Sequence, residues 1–243
     1  GLAMGVDELP WLLHRVAIPP HLLEDNQARV TQKQFSELYR MLALRMQDEF
    51  VGLYPYRVRL GTQKTLAMLT LGSETLEQAL KGWMLLNAVL GEEARFALHR
   101  SGGVATLRIM SCPTSRNPRF LQELQLKLLH GMCSWTIGDR VELDRINFQF
   151  PRPDNVGEYL FMFPGPAFFD QRVVSLTFSD RYLDRPVQRR GRQEVRELLE
   201  QSPGKWLFVP PSESSVVYRV QQVLRSSLSE DMDLSACSAW LGM

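Results

Sequence analysis

The sequence predicts an α+β fold in which a helical N-terminal region precedes a small antiparallel or mixed sheet packed on a central helix. Three observations carry this. Two capping boxes, Thr31 with Gln34 and Thr75 with Gln78, open stretches with helical apolar spacing. Alternating segments flank Ser101, Gly102 and Gly103 and recur over 144–150, as short half-buried strands do. Between them, the apolar residues of 117–136 cover most of a helical circumference, which suits a helix flanked on several sides.

In chain order, 5–23 reads as two short helical pieces, with Pro19 and Pro20 available for the first turn of the second. His14 and His21 read there as surface or packing residues. In the first capping box the Thr31 hydroxyl and the Gln34 side chain satisfy each other's orphan backbone donors, and Val30 and Phe35 occupy staple positions. Phe35, Leu38, Tyr39, Leu42 and Met46 then form a stripe, so a core-packed helix runs to about Gln47. Residues 48–61 are a loop broken by Gly52, Pro55 and Gly61, and 62–71 a short helix. The helix opened by Thr75 runs to about Leu90, with Leu76, Ala79, Leu80, Trp83, Leu86 and Leu90 in one arc. Asn87 falls inside that arc. A buried amide must find partners, so Asn87 either bonds to neighbouring backbone or faces a polar ligand, with Trp83 one turn away as an apolar wall.

The segments 95–99 and 104–110 form a hairpin. Within 117–136, Glu123, Lys127, His130 and Ser134 share one narrow polar arc, which is either the helix's solvent face or a stripe looking into a polar pocket. In the second case the pocket lies toward Trp83 and Asn87 and holds a small polar or carboxylate-bearing ligand, with Lys127 as counter-charge. Trp83, Asn87, Lys127 and His130 are the candidate ligand-binding residues on this basis. Downstream, Ile146, Phe148 and Phe150 alternate with Arg145, Asn147 and Gln149 in a strand ended by Pro151. Asp154 is placed to cap a short helix carrying Tyr159 and Leu160, and 164–166 turns the chain into a strand pair, 167–169 and 173–178. Residues 193–201 read as a polar helix.

The stretch 202–214, with Pro203, Gly204, Pro210 and Pro211, reads as a linker, followed by a helix over 215–228. The last residues, D-L-S-A-C-S-A-W-L-G-M (233–243), place Leu234, Cys237, Ser238 and Leu241 on one face between an Asp233 cap and Gly242. They fit either a plain amphipathic helix or the opening of a helix-turn-helix, whose groove-reading second helix has no residues left here. The expected organisation is 1–201 as a ligand-binding domain, 202–214 as linker, and 215–243 as the start of a DNA-binding domain. No DNA-contacting residue is assigned within the chain.

Composition narrows the function classes. With 243 residues and a 44% hydrophobic fraction the chain can bury a sizeable core, and 28 basic against 27 acidic residues leave no electrostatic footprint for nucleic acid. Cys112, Cys133 and Cys237 are odd in number and widely spaced, fitting reduced thiols in the cytoplasm better than a disulfide framework. No metal-ligand spacing, cofactor fingerprint, phosphate loop or G-x-S-x-G elbow occurs, so neither a metal, a cofactor nor an enzymatic activity is expected. No apolar run approaches a membrane span.

Three stretches resemble the AraC/XylS family of bacterial transcription regulators, specifically members with an arabinose-binding-type N-terminal domain. They are A-R-V-T-Q-K-Q-F-S-E-L-Y-R (28–40) with D-E-F-V-G-L (48–53), L-G-S-E-T-L-E-Q-A-L (71–80), and I-N-F-Q-F-P-R-P through L-D-R-P-V (146–187). The terminal D-L-S-A-C-S-A-W-L-G-M resembles the first helix and turn of the family's first helix-turn-helix, with Ser238 where an alanine is usual. The resemblance implies a cytoplasmic effector-binding domain, often homodimeric, joined to two helix-turn-helix units, of which this chain holds only the beginning. It does not identify the effector. Two other classes stay open, a dimerisation module that senses nothing and an enzyme with scattered catalytic groups.

Overall fold

The computed structural model describes residues 9–25, 27–89, 96–109, 115–189, 191–200 and 204–207. All belong to one compact unit, Gly1–Phe208, while the second, Val209–Met243, lies outside the described residues. The expected helix over 215–228 and the terminal segment 233–243 therefore also lie outside them.

The N-terminal region is helical, with α1 (Leu9–Arg15), a single 3-10 turn at Pro20–Leu23, α2 (Gln32–Met46) and α3 (Thr62–Thr70). The Thr31–Gln34 capping box forms in full, and Gln47 ends α2 in the left-handed region at φ 54°. α4 spans Leu76–Val89. Its capping box is only half formed: Thr75 Oγ1 accepts from Gln78 N at 3.4 Å, but Gln78 Oε1 reaches past Thr75 to Glu74 N at 2.9 Å. The remaining first-turn donors are met from far along the chain, Leu76 N by Arg185 O at 3.1 Å and Glu77 N by Leu183 O at 3.0 Å.

β1 (Phe96–Ser101) and β2 (Val104–Ile109) pair antiparallel from Ser101 opposite Val104. Gly102 and Gly103, at φ 60° and 81°, supply the two positive φ values that a two-residue hairpin turn demands. α5 (Pro118–Ile137) is capped by Asn117, whose side chain accepts from Phe120 N, and ends on Gly138 at φ 67°. It is the central helix, with 14 of its residues buried from Leu121 to Ile137.

The sheet order is β1-β2-β5-β3-β4, with β3 (Arg145–Asn147), β4 (Ala167–Phe168) and β5 (Val174–Ser179). It is mixed, since β3 and β4 run parallel whereas the other pairs are antiparallel. The strand pair expected from 167–169 and 173–178 does not form. β3 separates them, bonding to β4 on one side and β5 on the other, so the connection crosses past the end of a third strand, where Asp170 N and Gln171 N donate to Phe150 O and Phe148 O. Asp154 is likewise not a cap: the 3-10 turn Val156–Glu158 starts after Asn155 without a side-chain cap and continues into α6 (Tyr159–Met162). Ala105, Leu107, Ile109, Ile146, Val174, Leu176 and Phe178 put the sheet's buried side chains into one core with α4 and α5.

α7 (Arg192–Glu200) buries Val195 and Leu198 beneath an otherwise polar surface. Within the stretch read as linker, α8 (Gly204–Leu207) is a single helical turn with Leu207 buried. Among the described residues no helix is long and apolar enough to cross a membrane.

Candidate functional site

Three elements of the N-terminal region surround a cavity of about 100 Å³ above the central helix. The 48–61 loop contributes Phe50, Tyr54 and Val58, α3 contributes Leu66 and Gln63, and α4 contributes Asn87. α5 closes it with Gln125, Leu128 and Met132, and Phe96 and Ile109 come from the first two strands. The loop is held in shape by two carboxylates. Asp48 is fully buried and accepts from Phe50 N, Gly52 N and Val58 N at 3.0, 2.8 and 3.0 Å. Glu49 accepts from Gly61 N and Gln63 N at 2.7 and 2.9 Å, capping the start of α3.

Asn87 lies on the cavity wall as the only α4 side chain there among the described residues. Its Nδ2 donates to Trp83 O one turn back at 2.9 Å, which fixes the amide's orientation and leaves Oδ1 without a hydrogen-bond partner among the described residues. Trp83 is buried behind this wall, its Nε1 donating to Thr70 Oγ1 at 3.0 Å and to Leu66 O at 3.2 Å. It therefore positions α4 against α3 and does not line the cavity. Gln125 donates to the Tyr54 hydroxyl across the floor.

Lys127 and His130 sit on the other side of α5. At about 100° per residue, Gln125, Leu128, Leu129 and Met132 centre about half a turn away from Glu123, Lys127, His130 and Ser134. The structure thus brings Trp83 and Asn87 together but not Lys127 or His130 with them. The polar arc is not a solvent face either, because His130 and Ser134 are buried against the irregular backbone after α5. His130 Nε2 donates to Val141 O at 2.8 Å, and Ser134 Oγ accepts from Val141 N at 3.1 Å. Lys127 donates to Met162 O, while Glu123 accepts from Arg119 Nε at 3.0 Å and from the Tyr159 hydroxyl.

Burial and the nearby Lys127 charge lower the His130 pKa to about 3. The native imidazole is therefore neutral, with Nε2 protonated toward Val141 and a buried Nδ1 that has no partner among the described residues. In the unfolded chain the same ring takes a proton near its ordinary 6.5, so this contribution to stability is complete above that pH and is lost as pH falls toward 3. Between pH 7 and pH 5 the wild-type chain should lose roughly 2 kcal/mol more than His130→Gln, which keeps a donor for Val141 but does not titrate. Urea titrations at the two pH values measure the difference, and equal losses would mean that His130 is not held neutral.

Sequence reasoning missed Tyr54, Gln63 and Gln125. Gln125 carried the same signal as Asn87, a polar side chain inside an apolar arc, and it sits opposite the polar stripe on its helix.

The model of the arabinose-binding domain of AraC transcription regulators matches residues 5–187. The chain is 23% identical over 225 residues to the ornithine utilization regulator of Pseudomonas aeruginosa, an alignment covering 92% of this chain and 66% of that protein, just under two thirds of its length. The crystal structure of transcriptional regulator CdpR from Pseudomonas aeruginosa aligns at 18% identity and a TM-score of 0.43, covering 97% of this chain and 73% of that one. The matched domain takes in the Thr31 cap, the Asp48 loop, α4 with its distant cap, and the whole sheet, so this chain belongs to the AraC family of transcription regulators through its N-terminal arabinose-binding-type domain.

Proposed function

We propose that the chain is the effector-sensing part of a transcription regulator and that the effector is a small molecule taken into the cavity beneath α3 and α4. The observation that carries this is Asn87, whose Oδ1 is oriented but unpaired on the wall of a mostly apolar cavity. Few polar groups converging in apolar walls is the usual character of a small-molecule site. An amide oxygen accepts, so the ligand presents an N–H or O–H. The described lining holds no charged side chain, which disfavours a zwitterionic amino acid here. At about 100 Å³ the cavity is smaller than the roughly 150 Å³ that admits benzene, so the ligand has only a few heavy atoms. Trp83 supports the site by holding α4 in register.

In this reading, residues 1–201 sense, 202–214 connect, and 215–243 begin the helix-turn-helix part through which promoter binding is controlled, in the cytoplasm and as a homodimer. Exposed Leu85 and Val89, one turn apart on the outer face of α4, favour self-association. A chain that sediments only as a monomer at micromolar concentration would remove the dimer.

Thermal shift against short-chain alcohols, amides and lactones tests the site, because a specific ligand raises stability by mass action. Asn87→Leu should weaken the best such ligand by about tenfold or more while leaving the fold intact. An unchanged affinity in Asn87→Leu, or no saturable shift from the whole set, would sink the proposal.

A further inference from the structure

On the opposite side of α5 from Asn87, a groove of about 370 Å³ runs between the start of α2, α5, α6 and α8. Its walls are apolar, with Val30, Phe35, Phe120, Phe161 and Leu207 among them. Phe161 and its neighbour Leu160 are 78% and 73% exposed, leaving unburied apolar surface at α6.

The charges in this groove are unequally compensated. Glu123 pairs with Arg119 at 3.0 Å and Glu158 with Arg29 at 2.7 Å. Lys127, the cation in the described lining, has no carboxylate within ion-pair distance among the described residues. Its ammonium donates to Met162 O and lies 5.5 Å from the centre of the Phe163 ring. An ammonium has three donors, so two remain toward the groove. Burial and the charge of Arg140 hold the Lys127 pKa down to about 8, so the ammonium persists at neutral pH.

We infer that this groove is a second ligand site, which takes an organic monocarboxylate with an apolar tail, the carboxylate on Lys127 and the tail along Phe35, Phe120 and Phe161. A charge-assisted hydrogen bond to Lys127 supplies the compensation that the protein does not. The volume is more than twice the roughly 150 Å³ that holds a benzene ring, enough for a medium-chain or aryl acid. The site is independent of the Asn87 cavity, from which α5 separates it. It also reaches α8 through Leu207, so an occupant touches the last turn of helix before residue 208.

Calorimetric titration of the full chain with octanoate, octanol and octylamine tests this. Octanoate should bind saturably, octanol at least about tenfold more weakly, and octylamine not measurably. Lys127→Met, close in size but uncharged, should weaken octanoate about tenfold or more and leave octanol unchanged or tighter. Because Lys127 is largely buried, Val30→Trp provides the control: Val30 is 42% exposed, so the indole blocks the groove from its rim and should abolish octanoate binding without unfolding the chain. Asn87→Leu should bind octanoate as the wild type does. Equal affinity for octanoate and octanol, an undiminished octanoate affinity in Lys127→Met, or a loss confined to Asn87→Leu would each overturn the assignment.

Discussion

Asp48→Ala should cost about 3–5 kcal/mol in urea-induced unfolding, the largest effect expected of any single truncation outside the apolar core. The carboxylate has no solvent exposure and is the acceptor for three backbone N–H groups, which alanine strips of that acceptor, Val58 N in a buried place and Phe50 N and Gly52 N in part-buried ones. Between two of those donors the backbone turns left-handed twice, at Val51 with φ 47° and Gly52 with φ 78°. A β-branched residue in that region is strained, and the Asp48 bonds hold it there. Asp48→Asn should fall between wild type and alanine, since one amide oxygen can still accept from Phe50 N and Val58 N while its NH₂ faces the Gly52 donor. The loop carries Phe50, Tyr54 and Val58 into the Asn87 cavity, so ligand affinity there should fall with stability. A loss below about 1 kcal/mol for Asp48→Ala would show that the loop is held by something else.

Gly165→Ala should be nearly as damaging, at about 2–4 kcal/mol, for a steric reason. A Cβ there would lie 2.1 Å from Leu143 O and 2.9 Å from the carbonyl carbon of Leu143, and neither can move without shifting backbone. The displaced strand of chain also makes the bond from Leu143 N to Pro164 O at 3.0 Å and leads directly into β4. Gly138→Ala is the informative comparison. The three atoms nearest its Cβ all belong to the flexible Gln188 side chain and none to backbone, so the cost is mainly that of a left-handed alanine at φ 67°, about 1 kcal/mol. Chemical denaturation of both variants ranks them, and a smaller loss for Gly165→Ala than for Gly138→Ala would contradict the clash.

What could be read from the sequence was local. The Thr31–Gln34 box and the Gly102–Gly103 turn depend on residues a few positions apart, and both formed. The order of strands depends on which edges meet across the chain, so adjacency in sequence misled the pairing of 167–169 with 173–178. The polar arc on α5 shows the same boundary. Its periodicity was real, but its burial comes from Val141, in irregular chain, and Met162, at the end of α6, whose backbone N–H and C=O groups need side-chain partners. Asn87 was legible as a polar residue in an apolar arc, whereas Gln125 was hidden by the more conspicuous stripe behind it. The three stretches that carry the family resemblance are largely scaffold: 48–53 shapes the loop, 71–80 starts α4, and 183–187 caps that start. Apart from Phe50, the described lining of the Asn87 cavity comes from outside these stretches, so family membership does not fix its chemistry.

The cap on α4 also bears on the order of events as the chain is made. Leu183, Arg185 and Val187 close hydrogen bonds with Glu77, Leu76 and Glu74, residues synthesised long before them. β5, on which both β2 and β3 pair, arrives just ahead of that cap. Until then the hairpin and β3 are open edges with nothing between them, and the first turn of α4 keeps bare donors. Closure of long loops is slow, and partly assembled sheets aggregate while they wait. The sheet and the start of α4 therefore close only once 174–187 is present, and α7 and α8 follow, adding Val195, Leu198 and Leu207 to the same core.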